Sequence, residues 1–235
     1  MRFWRNVLLT LLSGLTFTAA ASVVIVGNRI IYPAQNQTVN IQLINRDNFP
    51  NVVQVWLDSG DEHSTPKTGR APFLLTPPMF RMAPHSGQNL RLQFIGAALP
   101  QDKEAVFYLN TLQIPPIYHG EETQNQLVVM HRNRIKLFWR PAVLKGSPES
   151  MDKTTQAKIE HSELHVINNS GYFLSILQLA LPGTKKRVIT HSVMIAPGDT
   201  LSLPLPGESI NAKTLSLSWI NDQGSVQHGT IPLLH

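Results

Sequence analysis

From Val23 onward, short apolar or alternating runs broken by Gly, Pro, Asn and Asp fill almost the whole chain. Strand side chains point alternately to two faces, so such runs suit half-buried β-strands and offer no continuous apolar stripe to an α-helix. Candidate strands are Val23–Val26, Val39–Ile44, Val52–Leu57, Leu90–Phe94, Val106–Leu112 and Leu127–Trp139. Turn-forming residues separate them at Pro33, Asn45 to Asn51, Ser59-Gly60-Asp61 and Pro84 to Gly87. No long segment keeps a helical period, and Asp102-Lys103-Glu104 has room for one short turn at most. The pattern predicts an all-β chain of sandwich type.

A division follows Trp139-Arg140-Pro141. The segment Lys145 to Ser150 is polar and turn-rich, and strand-like runs resume at Leu164–Ile167, Leu174–Leu181, Val188-Ile189, Ser192–Ile195, Leu201–Leu203 and Leu215–Ile220. The expected organisation is an N-terminal domain over 22–140 and a smaller β domain over 141–235, with no sequence repeat between them. Of the 235 residues, 42% are hydrophobic and only 15% charged, a balance that excludes a disordered tail protein and suits two packed cores.

Residues 1–21 read as a secretory signal. Arg2 and Arg5 form the positive start, Val7 to Phe17 the apolar stretch, and Ala19-Ala20-Ala21 a small-residue cleavage site. The apolar stretch is shorter than a membrane-spanning helix needs, so cleavage after Ala21 is expected rather than a retained anchor, and no later stretch is long enough to span. The exported chain has no cysteine, which excludes thiol catalysis, thiolate metal sites and the disulfide of antibody domains. Of the formal +5 charge, Arg2 and Arg5 account for two, leaving +3 on the mature chain. The basic residues are scattered except at Arg132 to Lys136 with Arg140 beyond, a poor match to a nucleic-acid surface.

Catalytic and metal patterns are weak. In His161-Ser162-Glu163-Leu164-His165 the acid is misplaced for a zincin, and the segment leads into a strand that separates the imidazoles by roughly 13 Å. Asp58, Asp61 and Glu62 cluster on one apparent hairpin turn and read as a solvated turn rather than a glycosidase pair. Ser170-Gly171 and Ser59-Gly60 lack the strand–turn–helix setting of a nucleophile elbow. No cofactor or metal is implied.

The block Asn125 to Pro141, ending Arg134-Ile135-Lys136-Leu137-Phe138-Trp139-Arg140-Pro141, resembles the periplasmic pilus chaperones of double-membraned bacteria, the PapD-like family. Further matches occur in order: Gly27 to Pro33, Gln54-Val55-Trp56-Leu57, Thr76-Pro77-Pro78, Leu99 to Glu104 with Phe107 to Asn110, Ile114-Pro115-Pro116 and Ile220-Asn221-Asp222. The resemblance spans about residue 22 to 224.

That resemblance implies two immunoglobulin-like β-sandwich domains set at an angle around a cleft. It implies a binding protein of the periplasm, not an enzyme, whose partners are pilus or fimbrial subunits and an outer-membrane usher. A donor strand at Leu127 to Ile135 would complete the subunit's unfinished sandwich through Leu127 and Val129, with His131 where the family places a third apolar residue. Arg29 and Lys136 would bind the subunit's C-terminal carboxylate. Glu104, Arg140 and Asp222 would form an ionic link between the domains. Thr76-Pro77 falls where the family can have a cis peptide. Strict alternation sets Lys136 on the face opposite Leu127 and Val129, which calls for a twist or bulge between them. The loop Pro115 to Gln126 resembles the short-loop branch, associated with rod-like pili. Two alternatives stay open: a pilus subunit or adhesin, and an exported hydrolase on a β scaffold.

Overall fold

A computed structural model describes residues 22–116, 127–161, 163–181, 187–189, 191–204 and 212–234. The signal segment 1–21 and most of the Pro115 to Gln126 loop lie outside the described residues.

The first half contains β1 (Val23–Ile25), β2 (Arg29–Pro33), β3 (Thr38–Asn45), β4 (Asn51–Asp58), β5 (Phe73–Thr76), β6 (Met79–Met82), β7 (Gly87–Phe94), β8 (Ala105–Ile114) and β9 (His131–Arg140). They form two facing sheets, ordered β1-β3-β7-β5 and β2-β9-β8-β4-β6. The inward positions alternate as the sequence pattern requires: Ile41 and Leu43, Leu90 and Leu92, Leu137 and Trp139 are all buried in one core. An aromatic cluster closes one end, with Tyr32 stacked on Trp139 at 5.5 Å and Phe73 edge-on to Tyr32 at 5.2 Å. The chain changes sheets between β1 and β2 at Gly27, whose φ of 97° is open to glycine and costly to side-chain residues. After that crossing β2 runs parallel to β9, pairing Arg29 with Lys136 through Pro33 with Arg140.

A 3-10 segment at Pro148–Lys153 follows, where the sequence suggests only a polar linker, and its Met151 is buried in the second core. The second half comprises β10 (Thr155–Glu160), β11 (Glu163–Asn168), β12 (Leu174–Ala180), β13 (Arg187–Ile189), β14 (Val193–Ile195), β15 (Thr200–Pro204), β16 (Thr214–Ile220) and β17 (Val226–Leu234). Its core is separate from the first and is built on residues such as Leu164, Val166, Leu174, Ile176, Leu217, Trp219 and Ile231. The molecule is therefore nearly all β, in two β domains.

Sequence patterning misses five strands: β2, β5, β6, β10 and β17. β2 has five residues and β5 and β6 four each, too few to display a period. β10 is largely polar, and β17 is interrupted by Gly229 and Pro232. Asp102-Lys103-Glu104 forms a bend, not a helical turn. The Thr76–Pro77 peptide is cis.

Candidate functional site

β9 carries most of the motif, and its pairing decides what each residue can reach. It runs antiparallel to β8 in one unbroken register from His131 opposite Gln113 to Trp139 opposite Ala105. The bulge that alternation called for is absent from this stretch. Odd positions therefore face the core from Ile135 to Trp139, and even positions face outward. β2 covers the other side of β9 only from Lys136 onward. His131 to Ile135 thus have β8 on one side and, among the described residues, an open edge on the other.

Leu127 to Met130 precede β9 and are not part of a strand, so only the second half of the expected Leu127 to Ile135 ribbon is paired. Leu127 is 89% exposed and Val129 53% exposed. Neither packs into the core of its own domain. His131 is exposed at the start of the open edge.

Arg29 and Lys136 are directly opposed on neighbouring strands. Among the described residues no carboxylate lies within ion-pair distance of either. Arg29 Nη1 donates to the Ile220 carbonyl of the second domain at 3.0 Å, and its guanidinium lies 5.9 Å from the Phe138 ring. Burial, followed by the Arg29 charge, pushes the Lys136 ammonium below its ordinary range. Burial also lowers Arg29, with Arg140 adding to that and Asp222 and Glu104 opposing it. Two cations that repel each other in a half-buried setting make a site ready for an anion.

Glu104, Arg140 and Asp222 come together at the domain junction. Arg140 Nε donates to Glu104 Oε1 at 2.7 Å, while Nη1 and Nη2 donate to the two Asp222 oxygens at 2.5 and 2.8 Å. Glu104 is also bound by backbone: its Oε2 accepts the Phe173 amide at 2.8 Å, and its own amide donates to the Gly171 carbonyl at 2.8 Å. Phe138 meets Phe173 across the same junction, with ring centroids 5.7 Å apart.

Arg29, Glu104, Phe138, Arg140, Phe173 and Asp222 all line one cleft between the domains. Two family models match successive parts of the chain. Residues 22–145 match the pili and flagellar-assembly chaperone PapD N-terminal domain, and residues 150–231 match the pili assembly chaperone PapD C-terminal domain. The chain belongs to the PapD family of pilus-assembly chaperones. It is 35% identical over 221 residues to the probable fimbrial chaperone YehC of Escherichia coli, covering 94% of this chain and 91% of that one. The crystal structure of the YadV chaperone of Escherichia coli is similar with a TM-score of 0.74 and 32% identity, covering 91% of this chain and 100% of that one. The SafB chaperone of Salmonella enterica, solved in complex with the SafA pilin, shares the fold at a TM-score of 0.74 and 23% identity, covering 92% and 99% of the two chains. Membership in the PapD family replaces the subunit and hydrolase alternatives: its members are named as chaperones, which bind rather than turn over their clients. No helix of the described residues is long and apolar enough to cross a membrane.

One expectation needs correcting. Asp58 is not part of a solvated turn: it closes β4 and is only 1% exposed. Arg134 clasps it with Nη2 to Oδ1 at 2.7 Å and Nε to Oδ2 at 3.1 Å, and Asn110 Nδ2 donates to Oδ2 at 2.6 Å. Arg134 lies 76 residues away in the chain, so local composition gives no hint of the pair. The alternation of Arg132, Arg134 and Lys136 was the available signal, since it puts three cations on one face. The hairpin of β10 and β11 sets His161 at its turn, while His165 Nδ1 lies 2.8 Å from Ser202 Oγ.

Proposed function

We propose that this PapD-family chaperone works in the periplasm, where it captures fimbrial subunits by donating β9 and its N-terminal extension, and then delivers them to an outer-membrane usher. A subunit lacking its last strand exposes an apolar groove and an unpaired sheet edge, a combination prone to aggregation. Leu127 and Val129 fill groove pockets, and backbone groups of His131 to Ile135 pair with the client edge. Chaperone–pilin complementation is itself the standard instance of such β-augmentation. Each buried apolar side chain contributes roughly 1.5–3 kcal/mol.

The client's terminal carboxylate binds between Arg29 and Lys136, where each charge-assisted hydrogen bond contributes roughly 1.5–3 kcal/mol. The Arg29 fork can take both oxygens while Lys136 supplies a compact charge. The observation that carries this reading is the position of the two cations, opposed across β2 and β9 at the point where the open edge of β9 ends. The link of Glu104, Arg140 and Asp222 sets the cleft in which the carboxylate is held. Cleavage of the signal after Ala21 releases the chain for this work, and its domains are those over 22–140 and 141–235.

Co-expression with a fimbrial subunit of the same bacterium tests the proposal. The pair should copurify at 1:1, and Arg29→Ala or Lys136→Ala should lose the subunit while keeping the thermal melt of the free chaperone. Full subunit recovery with both variants would reject the carboxylate anchor.

A further inference from the structure

The outward face of β9 presents Arg132, Arg134 and Lys136 at alternate positions, opposite Leu112, Asn110 and Tyr108 of β8. The three cations differ in what already neutralises them. Arg134 is spent on Asp58, lies 3.5 Å from the Tyr108 ring, and has Glu62 at 3.9 Å. Arg132 has no carboxylate within ion-pair distance among the described residues. Its Nε and Nη2 instead donate to Asn110 Oδ1 at 3.2 and 2.7 Å, and its guanidinium lies 5.1 Å from the Trp56 ring. Asn110 is itself oriented by its bond to Asp58. Among the described residues, Arg132 is therefore held in place with its charge uncompensated, on the stretch of β9 that has a neighbouring strand on one side only.

Resting on the capture reading above, we propose that Arg132 selects clients whose C-terminal strand carries an acidic residue three positions before the last residue. The position follows from the register. With its carboxylate reaching Lys136, a client strand lying on the open edge runs parallel to β9, and its last residue is level with Ile135, because Arg29 of β2 already occupies the place beside Lys136. Three residues back along such a strand is roughly 10 Å, the distance from Ile135 to Arg132. A side chain at that level faces outward, beside the guanidinium, because paired residues on neighbouring strands share a face. An acid there gains a preoriented partner, and a lysine meets a like charge. The shallow concavity lined by Glu62, Tyr108, Arg132, Arg134 and Lys136 leaves room for that side chain.

The test uses the full mature chain and ten-residue alternating Val–Thr peptides with a free C-terminal carboxylate. These carry Glu, Gln or Lys three positions before the last residue, and an amidated Glu peptide is the control. Wild-type protein should bind Glu over Gln over Lys, with steps of roughly two- to five-fold that shrink as salt rises. Arg132→Gln should level the series and Arg132→Glu should invert it. Equal binding of the three free-acid peptides by wild type, or an unchanged order in Arg132→Gln, overturns the selectivity but leaves carboxylate-dependent capture standing. Equal binding of the amidated and free peptides, or no binding at all, rejects the capture reading and the selectivity with it.

Discussion

Arg140 grips Asp222 across the domain junction through both carboxylate oxygens, at 2.5 and 2.8 Å, while its Nε holds Glu104 of its own domain at 2.7 Å. One planar guanidinium thereby joins the end of β9 to the turn after β16. Burial would lower the Arg140 pKa, yet the Asp222 hydrogen bonds and the Glu104 charge outweigh it and raise the group above its ordinary value. Burial raises Glu104, against the pull of Arg140 and the Phe173 amide. The two acids are thus unequal in their need for Arg140.

Removing Arg140 leaves Glu104 buried without its cation, whereas Asp222→Asn leaves the Arg140–Glu104 pair intact. Arg140→Ala is expected to cost about 3–5 kcal/mol and to broaden the distribution of domain orientations. Asp222→Asn should broaden the orientations at a smaller cost. Urea unfolding with small-angle scattering measures both; equal losses in the two variants would contradict the unequal roles.

Capture should weaken at alkaline pH sooner than an ordinary lysine would allow. Lys136 loses its proton below the usual value of about 10.4 because burial and Arg29 disfavour the charged form. The empty protein responds with the opposite sign. Its unfolded chain holds that proton more tightly, so stability rises with pH through the same window. Titrating subunit affinity from pH 7 to 10 checks this, and Lys136→Arg should extend binding to higher pH.

Asp58 makes the first domain sensitive to acid. Burial pushes its carboxyl up, but hydrogen bonds from Arg134, Asn110 and the Gly60 amide outweigh that and hold it at about 2. Its contribution is complete above the unfolded value of about 3.9 and is lost as pH falls toward 2, amounting to roughly 2 kcal/mol. Unfolding curves between pH 5 and 2 should flatten by that amount in Asp58→Asn. A wild-type slope retained in the variant would assign the acid sensitivity to other groups.

Leu127→Asp should leave the melting curve within about 0.5 kcal/mol of wild type, since the side chain has no core to leave. Subunit recovery should nonetheless fall sharply. A matching drop in stability would mean that Leu127 packs against its own domain in solution.

His131→Leu tests the departure from the family pattern. At a site that is exposed in the free chain, leucine should tighten capture by adding apolar burial in a third client pocket, and roughly ten-fold is expected from about 1.5 kcal/mol. Weaker capture would show that the imidazole makes a contact of its own.

The alternation of Val39–Ile44, Leu90–Phe94 and Leu215–Ile220 is a local property of the chain, and it determined the all-β class and the faces that pack inward. Parity along β9 likewise put Arg132, Arg134 and Lys136 on one side. What no local pattern holds is register. That Arg29 faces Lys136 depends on the chain crossing between sheets at Gly27 and pairing in parallel with a strand more than a hundred residues later. That Asp58 is buried under Arg134, and that Arg132 beside it has no carboxylate partner among the described residues, follows from how β4, β8 and β9 align. Hydrophobic period is set by each strand's own geometry, whereas the partner of each charge is fixed only when distant strands settle into one sheet.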